Sequence, residues 1–153
     1  MEIRTVLIVD DDEEMLDLFF HHLSRRGLKV SCARDGVDAL EKILLDPPDI
    51  VLLDIMMPRM NGWETCRTLK ADPATRHIPV LFLTCKGLDE DILKMHRADA
   101  DGYFIKPFDI AELACLVANW GSTDAVIATA RKAAHLRSGL FQPDSRVNPP
   151  AGH

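Results

Sequence analysis

Four apolar runs in this 153-residue chain each end on a polar side chain. Residues 6–9 (VLIV) lead into Asp10, Asp11 and Asp12, residues 50–53 (IVLL) into Asp54, residues 78–83 (IPVLFL) into Thr84, and residues 103–105 (YFI) into Lys106. If folding gathers these ends, carboxylates, a hydroxyl and an ammonium share one rim. Two carboxylates 4 Å apart repel by roughly 4 kcal/mol at an effective dielectric of 20. Either one is protonated or a cation joins them. Hard oxygen donors with open positions suit Mg²⁺, which keeps several waters and favours one or two carboxylates plus a phosphate. An acidic rim rejects a preformed phosphate ligand such as FMN unless metal comes too. It suits a carboxylate that acts as nucleophile and becomes phosphorylated.

The elements that must position these residues are legible in the apolar periodicity. The run at 6–9 reads as a strand buried on both faces, those at 50–53, 78–83 and 103–105 as further strands, and the alternating residues 28–33 as a more exposed strand. Between them lie helical stripes: Leu16, Phe19, Phe20 and Leu23, ending at Gly27; Val37, Leu40, Ile43 and Leu44, stopped by Pro47 and Pro48; Trp63, Cys66 and Leu69 within 62–71. Leu88, Ile92 and Met95 form a fourth stripe, and Ile110, Leu113, Ala114 and Val117 a fifth. Five strand–helix units in about 120 residues predict an α/β fold, a doubly wound, flavodoxin-like parallel sheet of strand order 2-1-3-4-5. Ligands of such sheets bind at the carboxyl ends of the strands, beside the switch point between strands 1 and 3. Asp54 belongs to that point.

The composition is 47% hydrophobic and 27% charged, ordinary for a globular domain. The net charge of −6 argues against direct DNA binding and gives no attraction to an anionic membrane. Residues 1–14 lack a signal-peptide core, and no apolar stretch approaches the roughly 20 residues of a membrane helix. A cytoplasmic protein is expected. Cys32, Cys66, Cys85 and Cys115 show no CxxC spacing and read as reduced, mostly buried thiols.

The segments LIVDDDEE, VLLDIMMPRMNGWE, PVLFLTC and DGYFIKPF stand in the order and at the distances found in response-regulator receiver domains. The chain resembles that family of two-component and phosphorelay signalling over about residues 3–120. The resemblance implies a phosphorylation-dependent switch that accepts a phosphoryl group on Asp54 from a histidine kinase or phosphotransfer protein. It implies an acidic Mg²⁺ site, with Asp11 a direct ligand, Asp10 acting through water, and Met56 offering its backbone carbonyl. Thr84 would hydrogen-bond a phosphoryl oxygen and Lys106 would pair with the phosphoryl group. Tyr103 would be the aromatic that turns when Thr84 is drawn in, and the Lys106–Pro107 peptide would be cis. Such a protein passes its signal by contact with a downstream protein. Beyond promoting its own phosphorylation and dephosphorylation it is not an enzyme.

Some positions depart from the family pattern. Cys85 stands where alanine is more usual; a tolerated small residue is the preferred reading over one that shields the acyl phosphate. Met56 and Lys86 flank the path of an attacking water and would set the decay rate, although Lys86 also fits a solvated loop. Asp12 and Glu13 read as helix-start residues rather than metal ligands. His21 and His22 diverge by about 100° on a helix and cannot readily share a metal. Trp63 and Trp120 read as packing residues. Two rivals remain: a receiver-like scaffold that works without phosphorylation, and an aspartyl-phosphate phosphatase. The second is weakened because the acid expected two residues after the nucleophile is replaced by Met56.

Residues 1–121 are expected to form the receiver domain and 122–153 a C-terminal extension. Within it, a cap at Ser122 or Thr123 and a weak stripe of Val126, Ile127, Ala130 and Ala134 predict a helix over about 123–138. Arg131, Lys132 and Arg137 read as a solvated basic face, and residues 141–153 as disordered. Homodimerisation is left open, through the fourth helix, fifth strand and fifth helix or through the C-terminal helix.

Overall fold

The structure is a computed structural model that describes residues 2–84, 94, 97–105, 109–120 and 138–140, the last three by their backbone. The expectations for Cys85, Lys86, Lys106, Pro107, the stripe of Leu88, Ile92 and Met95, and residues 121–137 and 141–153 lie outside the described residues.

Among the described residues, five parallel strands are joined or followed by helices after the first, second, third and fifth, as the periodicity predicts. In chain order they are β1 (Thr5–Val9), α1 (Glu13–Ser24), β2 (Lys29–Ala33), α2 (Gly36–Leu45), β3 (Ile50–Asp54), α3 (Gly62–Ala71), β4 (Val80–Thr84), β5 (Gly102–Ile105) and α4 (Ile110–Ala118). The helix α4 corresponds to the fifth stripe of the sequence. The sheet runs β2-β1-β3-β4-β5, and all four of these pairings are parallel.

Local chemistry sets the helix ends. Each of the four described helices begins after an Asp or Asn whose side-chain oxygen accepts a backbone N–H of the first turn: Asp12 from Glu14, Asp35 from Asp38, Asn61 from Glu64, and Asp109 from Ala111 and Glu112. Asp12 is thus the cap that the sequence implied. Gly27 ends α1 with φ +81, and the Leu28 N–H returns to the Leu23 carbonyl at 3.3 Å.

Two apolar layers flank the sheet. One packs Leu16, Phe19 and Leu23 of α1 and Leu113 and Val117 of α4 against Ile8, Leu52 and Leu83. The other packs Ala39 and Ile43 of α2 and Cys66 and Leu69 of α3 against Val9, Leu53 and Phe82. Trp63 and Trp120 are packing residues as expected; the Trp63 and Phe82 rings lie 5.1 Å apart.

Several expectations are corrected. Phe20 and Leu44 are exposed, although the helical spacing places both on apolar stripes. Each follows a buried neighbour, Phe19 or Ile43, and a 100° step carries it off the face turned to the sheet. The fourth strand starts at Val80 rather than residue 78, because Pro79 has no N–H for the ladder. Of the described cysteines only Cys66 is buried; Cys32 is half-buried and Cys115 exposed, all three with free thiols. Burial pushes the Cys32 thiol up from its ordinary value. Ser138 ends no helix: β6 (Ser138–Leu140) pairs antiparallel with β5, setting Tyr103 opposite Gly139. The unpaired edge of β5 supplies that partner, and local periodicity carries no trace of it.

Candidate functional site

The site is built by register. Val9 pairs with Leu53, so the next residues, Asp10 and Asp54, come side by side at the carboxyl ends of β1 and β3. Asp54 pairs with Leu83, which places Thr84 one step further along β4. Thr84 in turn pairs with Ile105, the residue before Lys106 in the chain.

Carboxylate oxygens of Asp10, Asp11 and Asp54 all lie within 4.8 Å of one another. Among the described residues this is the one cluster of His, Cys, Asp or Glu able to hold a metal, and neither His21 nor His22 enters it. Asp10, Asp54 and Thr84 are buried, whereas Asp11 is exposed. Backbone groups orient the acids: Asp10 Oδ1 accepts the Asp12 N–H at 3.0 Å, and Asp54 Oδ1 accepts the Ile55 N–H at 2.9 Å. The donor set is hard, all-oxygen and open to solvent on the Asp11 side. It fits Mg²⁺, and it concentrates more negative charge than a phosphorylated carboxylate tolerates without a cation.

The predicted residues Asp10, Asp11, Asp54 and Thr84 therefore converge. Met56 sits in the loop just after β3 and is 66% exposed. Tyr103 is half-buried and packs beside Phe82, its register partner. Strand alternation assigns Thr84 and Tyr103 to one face of the sheet, since Phe82 pairs with Tyr103 and Thr84 lies two residues on. Lys106 lies outside the described residues.

The sequence did not single out two further features. Gly36 and Gly62 allow loops to approach: a Cβ on Gly36 would come within 2.8 Å of the Met60 carbonyl oxygen, and one on Gly62 within 2.8 Å of the Ile55 Cα. Arg59 forms a two-point ion pair with Asp35, Nε to Oδ2 at 2.7 Å and Nη2 to Oδ1 at 2.9 Å. These donors hold the Asp35 carboxyl below its ordinary range, helped by the Asp38 N–H. Asp35, the cap of α2, is a residue type that marks a helix start; nothing local announces Arg59.

Residues 6–118 match the family model of the response regulator receiver domain. The chain is 35% identical over 135 residues to the DNA-binding dual master transcriptional regulator RpaA of Synechocystis, covering 88% of this chain and 56% of that protein. It is 42% identical over 104 residues to response regulator PleD of Caulobacter vibrioides, covering 68% of this chain and 23% of that protein. It thus spans little more than half of the first relative and a quarter or less of the second. Among solved structures, the signal receiver domain of a Syntrophus aciditrophicus signal transduction histidine kinase superposes with TM-score 0.71 at 30% identity, covering 84% of this chain and 93% of that one. The chemotaxis response regulator CheY4 of Vibrio cholerae gives TM-score 0.68 at 25% identity, covering 85% and 98%. The sheet order, the acidic cluster beside Asp54 and these likenesses agree: the chain belongs to the response regulator receiver domain family.

Proposed function

We propose that this chain is a phosphorylation-dependent signalling switch whose phosphoacceptor is Asp54. The observation that carries the reading is the buried Asp54 carboxylate at the end of β3, with Asp10 and Asp11 oxygens within 4.8 Å of it. Asp10, Asp11, Asp54 and the Met56 carbonyl would hold Mg²⁺. When bound, the cation supplies charge neutralisation for the carboxylates and the phosphoryl oxygens.

The donor is a phosphohistidine on a partner kinase or phosphotransfer protein. An Asp54 oxygen attacks phosphorus, the P–N bond breaks, and the imidazole nitrogen leaves with the electron pair and takes a proton from solvent. The hydroxyl of Thr84 donates to a phosphoryl oxygen, and Lys106, next in the chain after Ile105, pairs with the phosphoryl charge. The acyl phosphate adds about −1.5 to −2 charges. It draws Thr84 inward, and Tyr103, on the same face of the sheet, turns into the space released. The surface around β4 and β5 thereby changes, and a downstream protein reads the change. The response is a population shift, set by how much better the phosphoryl group is accommodated in the second form.

The protein catalyses nothing beyond gain and loss of its own phosphoryl group. Output by protein contact rather than direct DNA binding agrees with the net charge of −6. Among the described residues no helix is long and apolar enough to cross a membrane. The test is intact mass after incubation with Mg²⁺ and a small acyl-phosphate donor. One phosphoryl group is expected on the wild type and none on Asp54→Ala. Turnover of a phosphate ester without mass gain would support the phosphatase instead, and no gain at all the scaffold.

A further inference from the structure

The loop after Asp54 is anchored by two residues 24 positions apart in the chain. Arg59 presents its guanidinium edge to the Asp35 carboxylate at 2.7 and 2.9 Å, the fork-on-fork geometry that fixes direction as well as distance. Asp35 is buried and caps α2, accepting the Asp38 N–H at 2.9 Å. Arg59 is 58% exposed at its side chain, yet its backbone holds φ +62, a left-handed conformation that a residue with a Cβ adopts only where its surroundings impose it.

The surroundings do impose it. The Met60 carbonyl accepts the Gly36 N–H at 3.2 Å, and the Met60 N–H returns to the Pro58 carbonyl at 2.7 Å. The Gly62 N–H closes the base of the loop on the Ile55 carbonyl at 2.9 Å. The loop is therefore tied at its base to the end of β3 and at its tip to the start of α2. Met56 lies between the two ties.

We propose that Arg59 and Asp35 are positioning residues that keep the Met56 carbonyl within reach of the Asp10, Asp11 and Asp54 pocket and so set the cation affinity of the site. The proposal rests on the switch reading above. Without the ion pair the left-handed turn at Arg59 loses its anchor, and the loop spends part of its time in other conformations. The apparent dissociation constant then rises by the inverse of the competent fraction. An exposed arginine pair with only a structural role would lower the melting temperature and leave cation affinity unchanged.

The experiment measures Mg²⁺ affinity of the full chain in two ways, from the Mg²⁺ dependence of the melting temperature and from fluorescence, to which Trp63 beside Gly62 contributes. Arg59→Ala is expected to weaken Mg²⁺ binding by about tenfold, the loss typical of a group that orients a metal ligand. Asp54 phosphorylation should slow at low Mg²⁺ and recover when Mg²⁺ saturates. Arg59→Gly removes the pair but accepts φ +62 without strain, so it should keep the melting temperature closer to the wild type and still bind Mg²⁺ weakly. Arg59→Lys, which lacks the fork, should fall between. Affinities of the Ala and Gly variants within twofold of the wild type overturn the proposal. A wild type that binds no Mg²⁺ and gains no phosphoryl group overturns the switch reading and the proposal with it, a result distinct from the first.

Discussion

The Gly62 N–H donates to the Ile55 carbonyl at 2.9 Å, folding the loop after Asp54 back onto the end of its own strand. That approach leaves no room for a side chain: a Cβ at 62 would meet the Ile55 Cα at 2.8 Å and the Asp54 carbonyl oxygen closer still. Both obstacles are backbone, so the strand end itself must yield. Gly62→Ala is expected to cost about 1–3 kcal/mol in urea unfolding, the usual range for overpacking. It should also slow phosphoryl uptake by Asp54. Wild-type stability together with wild-type uptake would contradict this account of the loop.

The acidic cluster is held at a cost that function imposes. Asp10→Asn removes one of three carboxyl groups whose oxygens lie within 4.8 Å of one another. It is expected to raise stability without metal by on the order of 1 kcal/mol, well below the pairwise repulsion in water-free surroundings because Asp11 faces solvent. The same variant should lose the response of the wild type to Mg²⁺, which at 100 times its dissociation constant stabilises by about 2.7 kcal/mol. Thermal melts of both proteins with Mg²⁺ and with chelator check the two signs together.

Acid should unfold the protein partly through two carboxyls outside the site. Arg59 and the Asp38 N–H depress the Asp35 carboxyl. Burial pushes the Asp49 carboxyl up, but the N–H groups of Arg4 and Thr5, at 2.8 and 3.0 Å, outweigh it and leave it below its ordinary value. A carboxyl depressed in the folded state contributes stability that is complete above its unfolded value, about pH 4, and is lost as pH falls through the folded value. The urea midpoint of the wild type should therefore fall as pH drops below about 4. Asp49→Asn should start lower at neutral pH and drop less; parallel curves would refute the assignment.

Lys70 fastens the end of the sheet remote from the site. Its ammonium donates to the Arg76 and Ile78 carbonyls at 3.1 and 2.7 Å and to Asp101 Oδ2 at 3.0 Å, the same oxygen that accepts the Val80 N–H. Both side chains are largely buried. Lys70→Ala strands the Asp101 charge and is expected to cost about 3 kcal/mol by chemical denaturation, with Asp54 phosphorylation retained in the folded protein. A change below 1 kcal/mol would place this pair among ordinary surface bridges.

The short strand β6 covers the outer edge of β5. In a strand, alternate N–H groups face opposite neighbours, so part of β5 depends on β6 for protection from exchange. Gly139→Pro removes an N–H and restricts the backbone opposite Tyr103. Faster hydrogen exchange across Gly102–Ile105, with β1 and β3 unchanged, is the expected result. Unaltered exchange would mean that residues 138–140 do not protect that edge.

The alternation of strands and helices is legible along the chain, because buried parallel strands read as unbroken apolar runs and helices as stripes at 3.6 residues. Asp12 was legible as a helix start; Asp35, Asn61 and Asp109 act in the same way, each offering an oxygen to N–H groups of the first turn. Asp10, Asp11, Asp54 and Thr84 were legible as a set because strand ends in such a sheet share one rim. Tertiary structure alone decided what depends on partners distant in the chain. The register fixes Val9 beside Leu53 and so Asp10 beside Asp54, while the Arg59–Asp35 pair joins two loops whose residue types carry no local sign of each other. The exposure of Phe20 and Leu44, and the strand at 138–140 in place of a helix end, have the same origin. Helix period and capping are properties of a few neighbouring residues; which face meets the sheet, and which edge finds a strand, is settled only when the whole chain packs.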